Sequence, residues 1–219
     1  NSWLYQAGGL LELHPELCDE LASLVVDDGA LGARAQILAV DLLSGVGNPE
    51  AHAALRRILT DSRTMDRGNY HRIIQSVALT SVHDEQTLRI YEDLSATLPP
   101  GQTPAALAML GHLARGAAAA GDDESVQRVE QNLADRLAQA GTGDDRRDVL
   151  RALGNLATPG AEEATRPFLS DDDPWTRASA VRALRGVGTA SAGESLWESL
   201  GDPHDAVRSQ ALRAIGGRL

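Results

Sequence analysis

Apolar residues recur along this chain at helical spacing, three or four positions apart, and no stretch shows the β-branched alternation of a strand. In the last such stretch Val207, Ala211, Leu212 and Ile215 make one stripe. A short phrase returns with the stripes: small or apolar residues, a Leu, three variable positions and often a Gly. Its clearest copies are Ala183-Leu184 running to Gly188 and Ala211-Leu212 running to Gly216. Weaker copies sit at Leu43 to Gly47, Ala78-Leu79, Met109-Leu110 and Ala152-Leu153. The six anchoring Leu residues are 28 to 43 positions apart. Such a period, with two helical segments in each, predicts an all-α stack of repeats, an α/α superhelix or α-solenoid.

Spacing and breakers together predict about twelve helices in six antiparallel pairs. The first helices span about 10–27, 49–61, 84–97, 122–140, 159–170 and 190–200. The second helices span about 31–46, 66–82, 103–119, 144–157, 174–187 and 203–216. Asp173-Pro174, Asp202-Pro203, Thr103-Pro104 and Thr158-Pro159 each put a capping side chain before a Pro at the first helical position. Gly47, Gly141 and Gly188 fit C-terminal stops. The Leu98-Pro99-Pro100-Gly101 segment is the strongest internal break, but the repeat phase continues across it. The prediction is therefore a single helical-repeat domain over 1–219, with Leu79, Leu110, Leu153, Leu184 and Leu212 buried between helices.

The stretch 173–216 is the best defined. Val181-Arg182 and Val207-Arg208 recur, an Asp-Pro precedes each second helix and a Gly follows it. This resembles the HEAT-repeat family of paired-helix solenoids. The resemblance implies bonds between neighbouring repeats, mapping to Asp173 or Asp205 with Arg182 and Arg208. A narrower likeness covers about 105–188: Ala152-Leu153-Gly154-Asn155, Pro159, a helix closing at Leu169, then Ala180 to Arg185. That phrase is similar to the helical domain of large lipid transfer proteins of the vitellogenin-like kind. In that family the domain packs around a β-sheet lipid cavity. No β-rich segment is present, so lipid would concern this chain only through a larger parent protein.

Composition narrows the chemistry. Only seven aromatic residues occur, and all 20 basic residues are Arg. Lysine chemistry is thereby excluded, from phosphate-loop lysines to Schiff bases. The net charge of −11 opposes nonspecific nucleic-acid binding, which draws on phosphate neutralisation. It also argues against a base-excising repair enzyme built on such repeats, although Trp175 and Trp197 could stack on a base. Cys18 is alone and reads as a small buried residue. No apolar run is long enough for a membrane span.

The six histidines form no metal-binding pair; His83-Asp84-Glu85, Asp171-Asp172-Asp173 and Glu162-Glu163 all read as helix-start acids rather than ligands. No catalytic residue, cofactor or metal site is expected, and the chain reads as a non-enzyme. The first Met is Met65, so the chain reads as a mature exported protein or a piece of something larger. Compartment stays open between cytoplasmic and exported. The last helix keeps its apolar stripe to Leu219, which reads as a cut or docking edge.

Charge is sorted by helix. The first helices and their caps carry 24 acidic residues against six Arg; the second helices, with Arg218 just after the last, carry 13 Arg against six acidic residues. In paired-helix solenoids the second helices line the concave wall. The expectation is a protein-interaction scaffold whose concave face takes another protein or an acidic peptide segment through Arg147, Arg151, Arg182, Arg185, Arg208 and Arg213. The alternative is the structural helical domain of a larger exported, vitellogenin-like protein.

Overall fold

A computed structural model describes residues 2–27, 31–79 and 84–218. They form two compact units, 1–106 and 107–219. Each is built from helices, and no strand occurs among the described residues. His83 and Leu219, both named above, lie outside the described residues.

The first unit holds α1 (Ser2–Leu13), α2 (Leu17–Val26), α3 (Ala33–Val46), α4 (Pro49–Thr60), the short α5 (Ser62–Met65), α6 (Tyr70–Ala78) and α7 (Glu85–Thr97). The helix expected over 10–27 is two helices, because Pro15 removes a backbone donor after His14. Gly47 ends α3 with a φ of 70°, Asn48 accepts a bond from the Ala51 amide, and Pro49 opens α4. Two fully buried tyrosines tie helices through backbone carbonyls. The Tyr70 hydroxyl donates to the Leu59 carbonyl at 2.5 Å, and the Tyr91 hydroxyl to the Ile74 carbonyl at 2.5 Å. Each buried hydroxyl thus keeps a partner, as burial requires. Cys18 is a buried free thiol.

The second unit takes up α8 (Thr103–Ala120) from Leu107 onward and continues with α9 (Asp123–Gln139), α10 (Gly143–Leu156), α11 (Pro159–Thr165), α12 (Pro174–Ala183), α13 (Ala190–Glu198) and α14 (Asp205–Gly216). Helices α9, α11 and α13 are the first members of their pairs; α10, α12 and α14 are the second. Asp122, Thr142, Thr158, Asp173 and Thr189 each accept an amide bond at a helix start. Two expected caps differ. Thr103 instead donates its hydroxyl to the Leu98 carbonyl at 2.8 Å. Pro203 precedes its helix, and His204 caps α14 while Asp202 accepts from the His204 amide. The residue that closes α10 in the left-handed region is Ala157, at a φ of 58°, rather than a glycine.

Successive second helices approach until backbones touch. A Cβ at Gly154 would stand 2.8 Å from the Ala183 Cα, and one at Gly111 of α8 would collide with the Ala152 carbonyl. These mid-helix glycines are packing positions, in contrast to the expectation that glycines mark helix ends. Around the later contact Val181, Leu184, Val187, Leu196, Val207 and Ala211 form one buried cluster.

Three of the five Leu residues expected in the interior are there: Leu110, Leu153 and Leu184 are buried. Leu79 is 67% exposed and Leu212 62% exposed. Leu79 is the C-cap of α6 and follows the buried Ala78, which takes the inward position. Leu212 corresponds in structural register to Leu150 and Val181, both buried between stacked helices, whereas α14 is the last described helix. Two outcomes are expected in chemical denaturation. Leu153→Ala costs about 2–5 kcal/mol as a buried cavity, while Leu212→Ala stays within about 0.5 kcal/mol. Gly154→Ala costs about 1–3 kcal/mol, since the atom it meets is backbone and cannot swing aside.

Candidate functional site

Two rows of arginine run along the second helices of the second unit, and they do different things. The first row is Arg146, Arg177 and Arg208, spaced 31 residues apart. Arg146 pairs with Asp171 at 3.1 Å, ahead of the next second helix. Arg177 repeats the pattern one period on: its Nε and Nη2 reach the two oxygens of Asp202 at 2.8 and 3.0 Å. Its Nη1 donates to the Asp171 carbonyl at 2.8 Å. Arg208 makes the equivalent backbone bonds, to the carbonyls of Asp202 and Pro203 at 2.7 and 2.9 Å, and pairs with Asp205 on its own helix.

This row is structural. Arg177 and Asp202 are both mostly buried, so their bidentate pairing is charge-assisted and little screened. The hydrogen bond from Arg177 holds the Asp202 carboxyl below its ordinary range. A second lock joins α11 to α13. Glu162 is only 3% exposed, and accepts from Ser191 at 2.7 Å, from Thr189 and from Arg166 at 2.6 Å. Burial alone would raise its pKa; those bonds outweigh it and lower it. Glu162 is therefore a buried strut between repeats, beyond the dipole role expected of it.

The second row is Arg151, Arg182 and Arg213, also 31 residues apart, joined by Arg147, Arg185 and, from α8, Arg115. These side chains line a groove of adjoining compartments. The first, about 380 Å³, is walled by Arg115, Arg147, Arg151, Arg182 and Arg185 with Asn155. The next shares Arg147, Ser179 and Arg182 and adds Trp175, Ala206 and Gln210. A third shares Arg182, Arg185 and Gln210 and adds Arg213. No carboxylate belongs to the lining of these compartments among the described residues.

Five of the six arginines expected on this wall thus come together, and Arg208 does not. Its guanidinium is bound back to the loop before its own helix. The implied bonds of Arg182 to Asp173 or Asp205 are also replaced: Asp173 pairs with Arg147 at 3.0 Å. Arg147 also reaches Asp144, and Arg151 reaches Asp148 at 3.4 Å. Arg115, Arg182, Arg185 and Arg213 have no ion pair or hydrogen bond among the described residues. Arg115 was missed in the sequence because it stands alone in an Ala-rich helix, outside any Val-Arg pair. Trp175 is more than half exposed and meets the His204 ring edge-on at 5.6 Å. No described helix is long and apolar enough to cross a membrane.

Residues 130–216 match the family model of HEAT repeats, and this part of the chain is a run of such repeats. No curated protein matches the chain. Among solved structures, an engineered protein is 19% identical, over 99% of this chain and 96% of its own, at a TM-score of 0.47. A computationally designed armadillo repeat protein for modular peptide recognition is 15% identical, over 91% of this chain and 98% of its own, at a TM-score of 0.49. Human deoxyhypusine hydroxylase in complex with glycerol is 15% identical, over 96% of this chain and 98% of its own, at a TM-score of 0.39.

The Arg177–Asp202 bond predicts a pH dependence. A folded-state pKa below the unfolded one stabilises the protein above the ordinary carboxylate range, and that stability is lost as pH falls through it. Asp202→Asn is expected to cost about 1.5–3 kcal/mol near pH 7. The difference from the parent should shrink as the pH of the melt falls below about 4. A difference that persists unchanged to pH 2 would contradict the assignment.

Proposed function

We propose that this chain is a protein-interaction scaffold with no chemistry of its own, and that its arginine groove receives an acidic segment of a partner protein. The observation that carries this reading is the state of the groove arginines. In a chain with 31 acidic residues and 20 Arg, four exposed guanidiniums without a carboxylate gather along one wall. Arg177, on the other flank of α12, is by contrast saturated. Unsaturated ones offer charge-assisted, fork-shaped donors to a carboxylate that arrives from outside.

The acidic remainder of the molecule sharpens the selectivity. A polyanion that misses the groove meets mostly like charge over the rest of the surface, which favours docking there. The groove belongs to the face that lines the concave wall in paired-helix solenoids, which suits an extended segment crossing successive repeats. A helical layer beside a lipid cavity would want an apolar exposed face on these helices. The lining here is instead led by five arginines with asparagine, serine and glutamine, beside Leu150, Trp175 and three alanines.

The test uses a fluorescent decaglutamate peptide and the full chain. Binding is expected at low salt and should weaken at least about tenfold between 50 and 300 mM salt. The double variant Arg182→Glu, Arg213→Glu should abolish it with an unchanged melting temperature, because neither side chain bonds to the fold. Arg34→Glu, at the start of α3 in the other unit, should leave it intact. Equal binding by the double variant would refute the groove.

A further inference from the structure

One compartment of the groove holds more positive charge than a run of single carboxylates would use. Its walls come from three successive second helices: Arg115 from α8, Arg147 and Arg151 from α10, and Arg182 and Arg185 from α12 and the turn after it. Arg147 and Arg151 already have carboxylates beside them. Arg115, Arg182 and Arg185 have none among the described residues. Two of these three rest against backbone that carries no side chain. A Cβ at Gly186 would be 3.8 Å from the Arg115 Nη1, and one at Gly217 would be 3.0 Å from the Arg185 Nε. Gly186 ends the turn after α12 and Gly217 is the C-cap of α14. Helix C-termini present carbonyls and favour cations, so positive charge is tolerated there without an acidic side chain.

We propose that this compartment is a receptor for a phosphoryl group on the partner segment, a phosphoserine or phosphothreonine clamped by Arg115, Arg182 and Arg185. The inference rests on the reading of the groove as a site for an acidic segment and names the group it recognises. A carboxylate has one charge and engages one guanidinium fork. A phosphoryl group has nearly two negative charges and three acceptor oxygens, which suit three guanidiniums lining one compartment. Arg115, Arg182 and Arg185, without a carboxylate partner among the described residues, line about 380 Å³ and repel one another until such a dianion arrives.

The compartment also opens at its sides. Through Arg182 and Ser179 it runs into the space beside Trp175 and Ala206, and through Arg185 into the space beside Arg213. A free phosphate ion would leave both extensions empty. A peptide that carries the phosphoryl group can continue along them, with an apolar residue against Trp175.

The experiment compares three fluorescent peptides on the full chain at pH 7.5. All have the same neutral flanks, with a central phosphoserine, a plain serine or two adjacent glutamates. The phosphopeptide should bind at least about tenfold more tightly than the diglutamate peptide of similar charge, and the plain peptide should not bind measurably. Arg115→Ala and Arg185→Ala should each bring that ratio close to one, while Arg213→Ala weakens both peptides alike. Lowering the pH to 5 should reduce the ratio several-fold, because the phosphoryl group takes up a proton near pH 6. The protein's own carboxylates are common to both measurements.

Equal affinity for the phosphopeptide and the diglutamate peptide would overturn the proposal. So would a ratio that survives Arg115→Ala and Arg185→Ala in proteins of unchanged melting temperature. Inorganic phosphate that displaces the phosphopeptide at the phosphopeptide's own Kd would mean that a free anion is the ligand, and the proposal would also fall. If decaglutamate binds and phosphorylation brings no gain, only the phosphoryl assignment fails. If no acidic peptide binds, the groove reading fails with it.

Discussion

Everything in the second unit depends on how closely consecutive second helices approach. At Gly154 and Gly111 there is no room for a single carbon beyond the backbone of the neighbouring helix. Such contacts favour alanine and glycine over bulky groups, which accounts for a chain that is 42% hydrophobic but 3% aromatic. Close approach also fixes the register, because a slide of one residue would put a side chain where only hydrogen fits. With the helices this near, side chains on two flanks of the contact are brought within reach of the next repeat.

Those flanks explain the two arginine rows. Arg146 and Arg151 are five positions apart, as are Arg177 and Arg182, and Arg208 and Arg213. Five residues turn an α-helix by about 140° beyond a full revolution, so the rows point to well-separated sides. One side meets a loop and aspartates beside a second helix; there each guanidinium finds a carboxylate, and Arg177 is saturated. The other side meets the groove, where no carboxylate follows. Residue type alone does not distinguish a strut from a ligand-binding group in this protein. Angular position on the helix does.

The same geometry shows what was legible in the sequence. Helix identity and most boundaries follow from spacing, capping residues and prolines, since these are local signals. Register is not local. Val181-Arg182 and Val207-Arg208 invite an alignment at 26 residues, whereas the ladder of Arg146, Arg177 and Arg208 repeats at 31. The five-residue difference carries Arg208 from the ladder into the groove row, which is how it came to be expected on the wrong side. The Ala-Leu phrase makes a smaller slip of the same kind, pairing Leu184 with Leu212 when the structural counterpart of Leu184 is Ile215. Glu162 was readable as a helix-start acid, but its burial depends on Thr189 and Ser191, which come 27 and 29 residues later.

Fold and recognition are therefore separable in this molecule. Arg146, Arg177 and Glu162 hold neighbouring repeats together through partly buried bonds whose loss is felt as instability. Arg147 and Arg151 keep carboxylate partners, but Arg115, Arg182, Arg185 and Arg213 sit exposed in the groove and bond to nothing among the described residues, so their charge stabilises no folded contact. Mutual repulsion among them is a small standing cost to the folded state, screened by solvent. That cost is relieved when an anion binds. On the reading proposed above, the binding surface is slightly unfavourable when empty and satisfied when filled, and it lies on the side of the helices that the structural ladder leaves free.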